Sequence, residues 1–164
     1  MVASARVKAS PSRWPFPALL GLTAVVFAGL IYLIFEVAPQ AQATAGGLAQ
    51  KIFYIHVPAA YAMYLCGAVC FLASAAYLAG PTDTRNAIAR AGAECAVAFG
   101  LMMLVSGPLW AKKAWGVYWT WDPRLTTTLL SVMVYVAIVV LRAFTCDVDA
   151  ERKFAAALGV LGTV

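Results

Sequence analysis

The stretch Trp110 to Thr128, WAKKAWGVYWTWDPRLTTT, holds four of the chain's five tryptophans, Trp110, Trp115, Trp119 and Trp121, with Tyr118 among them. Asp122, Pro123 and Arg124 follow at once. Rings at this density offer flat apolar surface with charge at its edge, which suits a flat amphipathic ligand. The competing reading is an interfacial belt, because Trp and Tyr collect at the headgroup level of membrane proteins. The second residue with chemistry is His56, the only histidine, set among Phe53, Tyr54, Ile55 and Val57. Imidazole is the commonest metal ligand. At a membrane boundary its nitrogens can equally be satisfied by water or headgroups.

The run Trp115-Gly116-Val117-Tyr118-Trp119-Thr120-Trp121-Asp122 resembles the tryptophan-rich WWD signature of haem-handling membrane proteins. Pro123-Arg124-Leu125-Thr126 continues it as in the CcmC branch of cytochrome c maturation, and Tyr54-Ile55-His56-Val57-Pro58-Ala59-Ala60 is similar to that branch's first external histidine segment. The resemblance implies a non-enzymatic protein that takes haem at the outer face of the bacterial inner membrane. It would present the haem to the chaperone CcmE, alongside the CcmA and CcmB ATP-binding-cassette subunits and the small CcmD protein. It also implies haem b held without a covalent bond. His56 would be an axial ligand of the iron, with Trp115, Gly116, Tyr118, Trp119, Trp121, Asp122 and Arg124 as the other cofactor-binding residues.

Two rivals are weighed against this. A haem lyase subunit shares the WWD signature but should carry a larger set of spans and further external histidines. A structural subunit of a transporter would use the tryptophans only as a belt, and then Phe at Trp119 and Trp121 should leave cytochrome c assembly intact. Other chemistry finds little support. There is no CxxCH for covalent haem attachment, no HExxH, no Walker or GxGxxG loop, and one histidine completes no Ser/His/Asp set.

The local grammar around the tryptophans gives a helix start. Asp122 reads as an N-cap and Pro123 as the first helical residue. Arg124 then sits in a first turn, where a cation is disfavoured and needs an anion, either Asp122 or a haem propionate. If the preceding segment is helical, Trp115, Tyr118, Trp119 and Asp122 share one face. Gly116 weakens that reading and leaves an irregular loop as the alternative. Lys112 and Lys113 would also be available to a ligand's carboxylates.

The elements that must position these residues are membrane spans. Hydrophobic residues make up 63% of the chain and charged residues 12%, with a mean hydropathy of +0.83, which lies outside the range of soluble domains. The expected fold is an all-α polytopic membrane helix bundle. Its spans are placed at 18–37, 59–79, 92–110 and 125–144, with a partial fifth from 154. Residues 1–17 read as a basic cytoplasmic tail, 18–164 as a single membrane domain, and 38–58 and 111–124 as external loops. Pro58 in the first turn of the second span would place His56 just before that helix.

The formal charge of +5 is scattered through loops rather than gathered in a patch, so no nucleic-acid partner is expected. With the N-terminus inside, Arg6, Lys8, Arg13, Arg85, Arg90, Arg142, Arg152 and Lys153 are internal, and Lys51, Lys112, Lys113 and Arg124 external. The positive-inside rule then puts His56 and the tryptophans on the periplasmic side. Ala41-Gln42-Ala43 mimics a signal-peptide cleavage site, an alternative weighed against an apolar run longer than the usual signal-peptide core.

Cys66, Cys70, Cys95 and Cys146 form no external disulfide framework and read as small apolar residues. Ala68, Ala73, Ala75 and Ala76 are expected to let the second and third spans approach closely. Glu94 is expected in the first turn of the third helix, where the dipole favours it. The run FAAALGVLGTV from 154 is too short to cross a bilayer. The family has six spans and a second external histidine after the fifth, so the sequence reads as truncated. In its absence Tyr54, Tyr61 and Met63 are the nearby substitute ligands.

Overall fold

A computed structural model of the chain describes residues 16–42, 47–144 and 148–162. The expectations for the N-terminal tail up to Pro15 and for Ala43 and Cys146 fall outside the described residues. Within them the structure is helical, without strands, and divides into two compact units, 1–39 and 40–164.

The first unit holds helix α1, Phe16–Tyr32, which widens into a π-helical turn, Leu33–Val37. Ala38 N–H closes that turn on Leu33 O at 2.8 Å. The helix is apolar on every side and buries none of its residues, the composition of a helix surrounded by lipid rather than one with a single core-facing stripe.

In the second unit a 3₁₀ helix, Gly47–Ile52, runs straight into α2, Phe53–Ala79, followed by α3, Asp83–Trp115, α4, Pro123–Phe144, and α5, Val148–Leu161. Helix α2 lies beside α3 and α5, α3 beside α4, and α4 beside α5. The four close around Met63, Cys70, Ala93, Ala96, Met103, Val132, Tyr135, Ile138 and Ala155. Lipid tails are as apolar as leucine, so such helices hold together by close packing rather than by expulsion of water. Gly92 shows how close: a Cβ there would stand 2.9 Å from the Cys66 carbonyl oxygen and 2.9 Å from the Cys70 nitrogen of α2. Gly67 makes the matching space for the Tyr135 hydroxyl. The close approach therefore uses Gly92, Ala89, Ala93 and Ala96 of α3, not the expected alanines of α2. Ala68 is exposed, and Ala73, Ala75 and Ala76 are half-buried.

Four helical segments are long and apolar enough to cross a membrane: Phe16–Val37, Gly47–Ala79, Asp83–Trp115 and Pro123–Phe144. The chain is a multi-pass membrane protein. Several expected boundaries move: α3 runs to Trp115 rather than 110 and α5 begins at Val148 rather than 154, and the starts of α2 and α3 both come earlier. Helix α2 begins at Phe53 rather than 59, because the 3₁₀ segment carries the chain into it; Pro58 is exposed inside the helix and withholds only the bond to the Tyr54 carbonyl. His56 is thus within α2, not before it.

Helix α3 begins at Asp83, capped by the Thr82 hydroxyl, which accepts from Arg85 N at 3.3 Å. Glu94 consequently lies well past the first turn, exposed and paired with Arg90 at 2.7 Å. The ends of α3, α4 and α5 away from the tryptophans are tied by polar contacts. The Arg142 guanidinium, 5% exposed, donates to Asn86 Oδ1 at 2.9 Å, and it lies 3.6 Å from Glu151. Arg152 meets Asp83 at 2.9 Å.

Candidate functional site

Helix α3 ends where its sequence can turn. Gly116 takes the left-handed conformation at φ 79°, which costs glycine least. Its N–H closes on Lys112 O at 3.1 Å, and Lys112 Nζ returns a bond to Gly116 O at 2.9 Å. Residues 116–122 therefore leave the helix, and Trp115, Tyr118, Trp119 and Asp122 do not share a helical face. The irregular-loop alternative is the one found. Lys112 is engaged in this cap and lies over the Tyr118 ring at 5.3 Å.

The chain re-enters a helix at Pro123, and Asp122 is its N-cap. Leu125 N–H donates to Asp122 Oδ1 at 2.9 Å, and the Thr120 hydroxyl donates to Oδ2 at 2.8 Å. The Leu125 bond, the Thr120 bond and the nearby Arg124 charge hold the Asp122 carboxyl below the usual carboxylate range. The Arg124 charge acts on this carboxyl, but among the described residues no ion pair joins Asp122 to the Arg124 side chain. Among the described residues no carboxylate pairs with Arg124; its guanidinium lies over the Trp115 ring at 5.5 Å. That cation–π contact keeps the guanidinium beside Trp115.

The rings pack edge to face rather than as a coplanar platform. Phe53 meets Trp110 at 5.1 Å and 88°, and Trp110 meets Trp115 at 5.4 Å and 80°. Trp119 meets Trp121 at 5.7 Å and 77°. Each such pair contributes about 0.5–1.5 kcal/mol beyond area burial; the first two tie the end of α3 to the start of α2 and to itself, and the third lies within the loop.

Between this loop and the helices lies an apolar cavity of about 300 Å³, at the small end of the range for ligand sites. His56, Trp115, Tyr118, Trp119 and Arg124 all line it. Three other expected site residues do not. Gly116 and Asp122 shape the turn and the cap, and Trp121 stands 77% exposed against Trp119. Of the expected substitute ligands, Met63 is in the core, and Tyr54 and Tyr61 are exposed; Tyr64 lines the cavity instead.

His56 is held from α3. Its Nδ1 is 2.9 Å from Ser106 Oγ, and Ser106 in turn donates to Met102 O at 2.7 Å. The ring rests against Gly107, where a Cβ would come within 3.1 Å of Cε1. On α2 the cavity residues Phe53, His56, Ala60 and Tyr64 follow one helical face. On α3, Met103, Gly107, Trp110 and Ala111 do the same. Sequence reasoning missed Ala60 and Tyr64 because it started α2 too late for His56 to share a face with them, and missed Met103, Gly107 and Ala111 because only the packing of α3 on α2 brings them to the site. Leu125 and Thr128 complete the wall from α4. Trp119 Nε1 is buried without a hydrogen-bond partner among the described residues.

Over residues 2–164 the chain matches the family described as "CcmC: Heme exporter protein C". It is 35% identical over 118 residues to the heme exporter protein C of Escherichia coli, covering 70% of this chain and 46% of that protein. Against the heme exporter protein C of Bradyrhizobium diazoefficiens it is 32% identical over 118 residues, 72% of this chain and 45% of the relative. A ccmC-like mitochondrial protein of Marchantia polymorpha, named for cytochrome c biosynthesis, is 32% identical over 130 residues, 79% of this chain and 56% of its own length. The chain spans about half the length of the curated relatives it matches.

Proposed function

The chain belongs to the heme exporter protein C family, and from that premise we propose that it binds haem b non-covalently at the outer face of the inner membrane and delivers it for c-type cytochrome biogenesis. Haem is its cargo, received and passed on without chemical change. The observation that carries this reading is convergence. His56 from α2, Trp115 from the end of α3, Tyr118 and Trp119 from the loop and Arg124 from α4 line one apolar cavity although they are far apart in sequence.

The residues suit a haem by their donor set. Indole and phenol rings cover apolar macrocycle. The Arg124 guanidinium, with no carboxylate partner among the described residues, takes a propionate, and His56 supplies an imidazole for the iron. The cavity wall holds no second histidine, since the chain has one.

The orientation follows from charge. The cavity end of the bundle carries Lys51, Lys112, Lys113 and Arg124, and the opposite end Arg85, Arg90, Arg142, Arg152 and Lys153. Counting Arg6, Lys8 and Arg13 of the N-terminal segment with the second group gives eight Lys and Arg against four, and on that asymmetry we place the N-terminus in the cytoplasm and the cavity at the periplasmic face. Delivery would be to the chaperone CcmE, in company with CcmA, CcmB and CcmD. The exposed Trp121, beside the site but outside the cavity, is suited to contact the receiving protein.

The test is a haem titration of the detergent-purified protein followed by its Soret band. Wild type should bind with a Soret shift that His56→Ala loses, and equal spectra for the two proteins would reject His56 as a ligand.

A further inference from the structure

We infer that Ser106 is a positioning residue that sets the tautomer of His56, keeping the proton on Nδ1 and leaving the Nε2 lone pair for iron. The inference rests on the haem-site reading for its purpose, and on hydrogen-bond geometry alone for its content.

The argument is a count of protons. A serine hydroxyl has one hydrogen to give and lone pairs to accept with. Ser106 Oγ is 2.7 Å from Met102 O, the carbonyl one turn back on α3. A carbonyl can only accept, and we assign the hydroxyl hydrogen to this contact, the shorter of the two that Ser106 Oγ makes with Met102 O and His56 Nδ1. The same oxygen is 2.9 Å from His56 Nδ1. With its hydrogen committed, Ser106 can only accept from the ring, and Nδ1 must be the protonated nitrogen. In a neutral imidazole the other nitrogen is then bare.

Among the described residues Nε2 has no hydrogen-bond partner, and the ring lines the cavity. Histidines that ligate metals are generally fixed in this way, by donating the remote N–H to an oxygen of the protein. The oxygen is more often a carboxylate or a backbone carbonyl. Here a hydroxyl already bonded to the helix does the same work, and no charge has to be buried in the membrane to do it. Gly107 adds the steric half of the device, since the ring packs on its Cα with no side chain between.

The composition makes the test direct. The chain has a single histidine, so nitrogen-15 histidine labelling of the haem-free protein, carried on a histidine-free affinity tag, gives one imidazole. Its two ring nitrogens are read by NMR at about pH 8.5, well above the ordinary histidine range. Wild type should show a protonated Nδ1 and a bare Nε2. Ser106→Ala should shift the population towards the Nε2-protonated form, and Ser106→Thr, which keeps a hydroxyl able to bond the preceding turn, should restore the wild-type pattern.

On haem titration Ser106→Ala should lose about ten- to a hundredfold in affinity, with Ser106→Thr near wild type. A wild-type spectrum with the proton on Nε2, or one that Ser106→Ala leaves unchanged, overturns the inference whatever the protein binds. The expected NMR result together with haem binding indifferent to His56→Ala would uphold the tautomer assignment and reject the haem-site reading instead.

Discussion

Replacing Gly107 by alanine should damage the site while leaving the bundle standing. A Cβ at this position would lie 3.1 Å from His56 Cε1 and 3.7 Å from Nδ1. Carbon atoms settle at about 3.5–4.0 Å, so the ring has to retreat from α3 by about 0.5 Å. Ser106 is on the same helix, and its 2.9 Å contact with Nδ1 then stretches beyond the usual upper limit of about 3.2 Å for an N–H···O bond. The lost bond costs about 0.5–1.5 kcal/mol. Alanine in place of glycine returns about 0.8–1.0 kcal/mol in helix propensity. Overall stability should therefore change little.

The ligand geometry does not recover in the same way, because the displaced imidazole no longer has its orienting partner. Thermal unfolding in detergent should give a midpoint within a few degrees of wild type, while haem affinity falls about tenfold or more, the equivalent of about 1.4 kcal/mol. Unchanged affinity with an unchanged Soret band would refute the claim that the ring is clamped against Gly107. A collapse of the midpoint would refute the claim that the ring is the yielding neighbour.

Gly92→Ala should behave oppositely, because its clash is with the backbone of α2 at 2.9 Å and cannot be relieved by a side chain; we expect about 1–3 kcal/mol of destabilisation, measured by denaturant unfolding in detergent. Arg124→Ala should weaken haem binding about tenfold by removing a charge-assisted bond, yet leave binding of haem dimethyl ester unaltered, and an equal loss for both ligands would exclude a propionate contact. The Asp122 carboxyl is depressed in the folded protein. Its contribution is therefore complete above the unfolded carboxyl range, about pH 4, and is lost as pH falls through the lower folded value. Protection of the Leu125 amide, its exchange rate taken relative to the intrinsic rate at the same pH, should fall on acidification below that range in wild type. In Asp122→Asn, which caps as well without titrating, it should not.

Much of the architecture is legible in the sequence because the solvent imposes it. A backbone in hydrocarbon must satisfy its own hydrogen bonds, so long apolar runs become helices, and 18–37 and 125–144 lie close to the observed 16–37 and 123–144. Asp122-Pro123 fixes the start of α4, and Gly116 the end of α3, through interactions only a few residues long. Polar boundaries are less readable. Asp83, Arg85, Asn86 and Arg90 look like loop, yet they are helical, held by the Thr82 cap and by partners on α4 and α5 such as Arg142 and Arg152.

The sequence by itself determined which residues carry the chemistry: one imidazole, a cluster of indoles and a guanidinium beside a capped helix start. Only the tertiary structure decided which of them meet. Whether His56 faces lipid or a cavity depends on the register of α2 against α3, and that register is set by Gly92 and Gly107 touching a neighbouring helix, contacts between residues tens of positions apart. Ser106 is the sharpest case. Nothing in its sequence neighbourhood marks it, and its importance arises because a hydroxyl already bonded to its own helix is brought within 2.9 Å of the one histidine.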